Sequence, residues 1–186
     1  MFHRPVCILI LFGLLLHSCG EDAIPRPKAM LRLEYPGKTM VPLNTACPYS
    51  FDYNDLADVR LKEGCALDLD YPMMKGSIFI TYMPVKGNLR ELLSDAQKLS
   101  YEHAAKADNI TEQPFANPAD SVYGMFYEVH GNAASQAQFY VTDSTSHFVT
   151  GSLYFYARPN YDSIYPAAVY LQKDIRSIME SLRWKK

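Results

Sequence analysis

The stretch VYGMFYEVHGNAASQAQFYVTDSTSHFVTGSLYFYA, residues 122–157, decides the fold. It holds three runs rich in Tyr, Phe and Val, the residue types that favour β-strands, and they are residues 122–129, 135–142 and 147–157. The links between them, HGNAA and DSTS, are short and composed of residues typical of turns. Because so short a link can join only antiparallel neighbours, the stretch predicts a three-stranded meander.

More strands are predicted before the meander, from alternating or continuous apolar runs. They are LRLEY (31–35), YSFDY (49–53), CALDLDY (65–71) and SIFITYM (77–83). The last is apolar almost throughout and predicts a central strand buried on both faces. The segment between YSFDY and CALDLDY reads as a polar turn region. Residues 109–119 contain two prolines and read as a loop that could hold a short strand.

Two helices are predicted from apolar residues at helical spacing. The first lies in NLRELLSDAQKLSYEHAAKAD (88–108), with an apolar face of Leu89, Leu92, Leu93, Ala96, Leu99, His103 and Ala107. The second begins near Pro166, ends at Trp184, and buries Ala168, Leu171, Ile175, Ile178, Met179 and Leu182. The order of elements predicts an α+β fold, a mainly antiparallel sheet of six to seven strands with two principal helices. A PsbP/Mog1-like topology, which also has one helix midway and one at the C-terminus, would fit this order.

The N-terminus has the features of a lipoprotein signal peptide. The apolar run from Val6 to Leu16 is too short to span a bilayer and has the length of a signal h-region. Leu16 and Ser18 then occupy the −3 and −1 positions before Cys19, as in a bacterial lipobox. We therefore expect a signal peptide at 1–18, a lipidated tether at 19–28 with Cys19 as the acceptor, and a single α+β domain at 29–186. The alternative is an ordinary signal peptide with an incidental cysteine. Gly20 at +2 favours the outer membrane.

Cys47 and Cys65 remain as candidates for a disulfide. Export would place them in an oxidising compartment, and each begins a run in which alternate residues are apolar. Residues two apart share one face of a strand, so each cysteine is expected on the apolar face. The alternative is two buried free thiols.

Charge and motifs exclude several classes of function. The chain has 18 Lys+Arg against 20 Asp+Glu, dispersed and without a basic block, so nucleic acid is not an expected partner. No phosphate loop, nucleophile elbow, His-x-His, HExxH or Cys-x-x-Cys is present. We therefore expect no enzyme activity, no cofactor and no metal site.

Isolated polar residues are weaker candidates for chemistry. His103 is expected in the core and His147 at the start of a strand. Glu128 and His130 share a strand face, but two ligands are too few for a metal site, and a solvent-facing pair is the simpler interpretation. Asp68 and Asp70 alternate with leucines and are expected to face water.

Long stretches of the chain resemble the gliding motility lipoprotein GldD family. They are LRLEYP, ITYMPV, LRELLSDAQKLSYEHAAKAD, the block from Tyr123 to Leu171, and DIRSIMESLRW. The resemblance covers the chain from about Pro25 to Trp184, and His130 stands where we expect a small or polar residue in that family.

The resemblance implies a lipid-anchored cell-envelope protein required for gliding motility. It implies partners among other gliding-motility lipoproteins and the type IX secretion machinery, and it supplies no catalytic residue or cofactor. The alternative is a periplasmic glycan- or peptide-binding module. Three Asp-Ser motifs also resemble the O-glycosylation acceptors of some such bacteria, and they make Ser121, Ser144 and Ser163 candidate sites.

Overall fold

The computed structural model describes residues 35–102, 106–156 and 161–185. Eleven strands and two α-helices lie in this part of the chain. In chain order they are β1 (Met40–Pro42), β2 (Tyr49–Ser50), β3 (Asp52–Asn54), β4 (Asp58–Leu61), β5 (Leu67–Tyr71), β6 (Gly76–Pro84), α1 (Leu89–Glu102), β7 (Ala107–Asn117), β8 (Val122–Gly131), β9 (Ser135–Thr142), β10 (His147–Phe155), α2 (Tyr161–Ser181) and β11 (Arg183–Trp184).

Seven strands form one antiparallel sheet in the order β4-β5-β6-β10-β9-β8-β7. The predicted meander is present, since β8, β9 and β10 are neighbours in sequence and in space. Two short ladders, β1 with β3 and β2 with β11, lie outside this sheet. The predicted α+β class and the sheet of six to seven strands are therefore confirmed. The likeness to the PsbP/Mog1 topology and the domain bounds stay predictions.

Each face of the sheet is covered by one helix. The helix α2 packs on one face, and its residues Leu171, Ile175 and Ile178 are fully buried against Leu69, Ile78 and other strand side chains. The helix α1 covers part of the opposite face, where its leucines pack on Tyr127, Tyr140 and Phe148. All six residues predicted on the buried face of the C-terminal helix are buried. The domain is thus a helix–sheet–helix arrangement whose main core lies under α2.

The structure joins Cys47 and Cys65 in a disulfide, with Cα atoms 5.5 Å apart. Cys47, Tyr49 and Phe51 are buried on one side of their segment, as alternation predicted. Cys65, however, is not on a strand. It ends a short 3-10 turn, Glu63–Cys65, with a φ of 60°, and β5 begins two residues later. The disulfide therefore links the segment before β2 to the turn that precedes β5 of the seven-stranded sheet.

The prediction of a loop at residues 109–119 was wrong. Most of this segment belongs to β7, an edge strand of 11 residues that pairs with β8. A proline lacks a backbone N–H, and Pro114 lies on an edge strand, which pairs on one side only among the described residues. Proline content alone does not show which strands stand at an edge.

Two other boundaries also differ from the sequence-based expectation. Part of the polar segment before Cys65 forms the edge strand β4, which pairs with β5. The helix α2 begins at Tyr161, and Pro166 lies inside it rather than in its first turn. The first N–H groups of a helix have no partner within the helix. Here the side-chain oxygen of Asn132, in the turn between β8 and β9, accepts the Tyr161 N–H at 2.9 Å.

The apolar face of α1 turns away from the sheet near its end. Leu99, predicted on that face, is 40% exposed, whereas Ser100 is buried. The Ser100 hydroxyl lies 3.0 Å from the Ala96 carbonyl and 3.1 Å from Oε1 of Gln138 on β9. His103, the strand prediction for residues 31–34, Cys19 and the signal peptide lie outside the described residues.

The turn between β9 and β10 is organised by Asp143. Its Oδ1 accepts the N–H groups of Thr145, Ser146 and His147 at 2.8–2.9 Å, and its Oδ2 accepts the Thr145 hydroxyl at 3.0 Å. Partial burial opposes the charge of the carboxylate, but these hydrogen bonds outweigh it and lower the pKa of Asp143 to about 2.

We expect this carboxylate to contribute stability above its ordinary pKa of 3.8 and to lose that contribution as the pH falls towards about 2. The contribution is about 1 kcal/mol after allowance for its exposure to solvent. Urea unfolding of Asp143→Asn should therefore show a smaller loss of stability between about pH 4 and pH 2 than the unsubstituted protein. Asp95→Asn, on the exposed side of α1, is the control. Identical pH profiles for Asp143→Asn and the unsubstituted protein would contradict the expectation.

Candidate functional site

A cleft lies between one flank of α2 and the strand β8. Its volume is about 340 Å³, and its lining residues are Glu128, His130, Tyr165, Val169, Gln172, Lys173 and Arg176. The strand supplies Glu128 and His130, two residues apart and thus on one face. The helix supplies Tyr165, Val169 and Lys173 at intervals of four residues, which stack along one flank. The sequence analysis predicted that Glu128 and His130 share a strand face. In the folded protein, Lys173, Arg176 and Tyr165 of α2 lie beside them.

His130 is held by a tyrosine from the start of α2. Its Nδ1 lies 2.9 Å from the hydroxyl of Tyr161, and the rings meet edge to face at 6.3 Å. Burial, with smaller effects from Tyr165, Glu128 and Asp108, raises the pKa of Tyr161 to about 12. Tyr161 therefore keeps its proton at neutral pH, and its hydroxyl donates to Nδ1 of His130 or accepts from it, according to the tautomer of the imidazole.

Arg176 is fixed by two contacts. Its Nη2 donates to Oε1 of Gln113 on β7 at 2.7 Å, and its guanidinium lies 4.2 Å from the centre of the Phe126 ring. Stacking and a neutral acceptor thus orient this side chain. Its contact with Glu128 is longer, at 3.8 Å.

Glu128 has no close donor among these neighbours. Its Oε1 lies 3.5 Å from Nε2 of His130, and its Oε2 lies 3.5 Å from Nε2 of Gln113. Charge-assisted hydrogen bonds are usually about 2.7–2.9 Å long. The carboxylate is 27% exposed, so it can accept a further donor from solvent or from a ligand. The expected solvent-facing pair is therefore a partly enclosed pair beside two cations.

Asp68 does not face water as expected. It is 4% exposed and sits under two long cationic side chains, with Lys62 Nζ at 2.7 Å and Arg60 Nη2 at 3.7 Å. Arg60 also pairs with Asp70, which accepts a hydrogen bond from the buried Ser77. Because β4 was not predicted, neither cation was expected beside these carboxylates. Their contacts point to ion pairing across strands.

His147 belongs to an aromatic stack near the C-terminus. Its ring lies 5.1 Å from that of Trp184, nearly parallel, and its Nδ1 lies 2.9 Å from the hydroxyl of Tyr82. The indole N–H of Trp184 donates to the Ser121 carbonyl at 3.0 Å. These contacts attach the last strand to the sheet.

Two further features of the described residues concern metal binding and membrane spanning. Within residues 35–102, 106–156 and 161–185, no group of three His, Cys, Asp or Glu side chains could hold a metal ion. In the same part of the chain, neither helix has the length and apolar character needed to cross a membrane.

Ser121, Ser144 and Ser163 are all exposed. Ser121 and Ser144 lie in turns with positive φ, and Ser163 lies in the first turn of α2. If the O-glycosylation expectation is right, protein from its native host should exceed the mass of the lipidated polypeptide, and replacing the modified serine with alanine should remove that excess. An intact mass equal to the lipidated polypeptide would contradict it.

Comparison with known proteins places the chain in a family. The family model for gliding motility lipoprotein GldD matches residues 20–184 of the 186-residue chain. The match begins directly after Cys19 and spans every strand and helix described above. No match was found among curated proteins. The chain belongs to the gliding motility lipoprotein GldD family.

Proposed function

We propose that this lipoprotein is a non-catalytic component of the gliding machinery that acts through protein contacts. Its partners are other gliding-motility lipoproteins and proteins of the type IX secretion apparatus. Lipid on Cys19 anchors it to the membrane, and Gly20 favours the outer membrane. The disulfide between Cys47 and Cys65 fits an oxidising compartment outside the cytoplasm.

The observation that carries this proposal is the set of contacts made by the polar side chains. His130 is bound by Tyr161, Asp68 and Asp70 are paired with Arg60 and Lys62, and His147 is stacked on Trp184. A catalytic histidine is usually within hydrogen-bond reach of a nucleophile or of the proton that it transfers. In the part of the chain that the structure describes, these groups hold elements of the fold together.

Complementation of a deletion strain tests the proposal. The deletion should abolish colony spreading, or the export of type IX cargo if the host does not glide. His130→Ala, His147→Ala and Asp70→Ala should each restore the phenotype if the protein accumulates normally, because binding energy is spread over several anchors. His103→Ala should do the same, with its abundance checked. Lys98→Ala, on the exposed side of α1, is the matched control.

The informative failure is a stable, membrane-localised variant that does not complement. Loss of function in such a His130→Ala or Asp70→Ala protein would favour a catalytic or metal-binding role over the adaptor. Mild crosslinking followed by purification then identifies the partner class. Recovery of envelope proteins supports the adaptor.

Lipidation at Cys19 has a direct test. We expect Cys19→Ala to leave a soluble or unprocessed form and to fail in complementation, because the acyl chains supply the membrane affinity. Mass spectrometry of the mature N-terminus should find an acylated cysteine at position 19. An unmodified Cys19 in the mature, membrane-bound protein would contradict the expectation.

A periplasmic glycan- or peptide-binding module is the second candidate function. The cleft beside α2 favours it, because a concave site with a few convergent polar groups is typical of ligand binding. Retention of the protein on purified peptidoglycan or glycan, without recovery of protein partners, would support this function over the adaptor.

A further inference from the structure

The cleft beside α2 carries opposite charges on its two sides. Glu128 lies on the strand side, and Lys173 and Arg176 lie on the helix side. The contact between Glu128 and Arg176, at 3.8 Å, is longer than a charge-assisted hydrogen bond. The cleft thus presents a carboxylate and two cations that do not neutralise one another closely.

The carboxylate and the two cationic side chains of the cleft can each form further hydrogen bonds with a ligand. Glu128 has neighbouring donors at 3.5 Å or beyond, so its oxygens can accept from a cationic group. Arg176 is oriented by Gln113 and Phe126, and the guanidinium has further N–H groups beyond the one that Gln113 accepts. Lys173 is exposed and forms no ion pair with any residue that the structure describes.

A ligand with one kind of charge would satisfy only one side of this cleft. A simple anion would meet Lys173 and Arg176 but would be repelled by Glu128. A simple cation would meet Glu128 but would be repelled by the two basic side chains. A group with an ammonium and a carboxylate on the same carbon atom matches both sides, and Val169 and Tyr165 offer contact surface for its carbon atoms.

We propose that this cleft binds an α-amino-carboxylate zwitterion, with the ligand ammonium on Glu128 and its carboxylate on Arg176 and Lys173. Such a group occurs in a free amino acid and in the diamino acid of a cell-wall stem peptide. The proposal deepens the second candidate function and does not depend on the adaptor role. A binding failure in solution is therefore distinct from a failure of complementation.

Calorimetric titration of the mature full-length protein in detergent tests the proposal. The probes are L-alanine, propionate and ethylamine, which carry both charges, the negative charge alone and the positive charge alone. Alanine should bind at least about tenfold more tightly than either fragment, a difference of about 1.4 kcal/mol. Absence of alanine binding would overturn the proposal, as would propionate or ethylamine binding as tightly as alanine.

Three variants separate the two sides of the cleft. Glu128→Gln should reduce alanine affinity about tenfold, and Lys173→Gln, at an exposed position, should do so without affecting folding. Arg183→Gln removes an exposed cation that pairs with Asp120 outside the cleft, and it should bind like the unsubstituted protein. Unchanged alanine binding by folded Glu128→Gln and Lys173→Gln proteins would overturn the assignment.

A second titration identifies the source of the zwitterion. The probe is a stem tripeptide that ends in meso-diaminopimelate, compared with L-alanine. Tighter binding of the tripeptide assigns the site to the cell wall, and equal or weaker binding assigns it to a free amino acid.

Discussion

Replacing Leu171 with aspartate is expected to leave no folded protein. Leu171 lies on the buried face of α2 with none of its surface exposed, and it packs in the main core with Ile78 and Ile175. Truncating a buried leucine costs about 2–5 kcal/mol, and an unpaired buried carboxylate adds several more. Because small proteins are stable by only about 5–15 kcal/mol, the sum removes most or all of the folding free energy.

Circular dichroism and cellular abundance measure this effect. The matched control is Lys173→Asp, which introduces the same side chain on the exposed flank of the same helix. We expect Lys173→Asp to accumulate normally and to melt near the temperature of the unsubstituted protein. A folded Leu171→Asp protein with an unchanged melting temperature would show that α2 does not form the main core.

The core face of α2 was predictable because it depends on local periodicity. Apolar side chains from Ala168 to Leu182 recur at helical spacing, and all six predicted positions are buried. The meander was predictable for a similar reason, since its strands are joined by short turns. Periodicity predicts elements whose partners are close in sequence.

Contacts between distant segments were not predictable. Asp174 lies on α2 and is fully buried, yet its partners are Asn54 at 2.8 Å and Lys38, more than a hundred residues away. The strands β4 and β7 were missed because short charged or proline-containing segments become strands only when a neighbour pairs with them.

The candidate cleft was likewise predictable where it depends on local periodicity and not where it depends on contacts between distant segments. Alternation placed Glu128 and His130 on one face, but nothing local placed Arg176 opposite them. To predict the position of Arg176, one must know which flank of α2 packs beside β8. A signal was present in the helix itself, where Tyr165, Val169 and Lys173 recur every fourth residue beside the apolar face.

Removing the disulfide is expected to cost about 3 kcal/mol of folding stability. Cys47 and Cys65 are separated by 18 residues, and closing such a loop lowers the entropy of the unfolded chain by an amount worth about 3 kcal/mol. In a domain of this size each kcal/mol corresponds to roughly 2–4 °C, so the melting temperature of Cys47→Ala/Cys65→Ala should fall by roughly 6–12 °C.

Because of the position of the disulfide, its loss should also destabilise structure outside the loop between Cys47 and Cys65. Tyr49, two residues after Cys47, is fully buried, and its hydroxyl donates to the Cys65 carbonyl at 2.7 Å. Tyr49 also pairs with Trp184 in the ladder of β2 and β11. The disulfide therefore fixes a segment on which the C-terminal strand depends, and hydrogen exchange in β11 should increase in the double variant.

Reduction provides the control for this prediction. A reducing agent should lower the melting temperature of the unsubstituted protein towards that of Cys47→Ala/Cys65→Ala and leave the variant unchanged. If reduction has no effect on the exported protein, and thiol labelling finds both cysteines free, then the disulfide does not form after export. The comparison also separates the entropy of the crosslink from side-chain packing, because reduction keeps both cysteine side chains while the alanine substitutions remove their sulfur atoms.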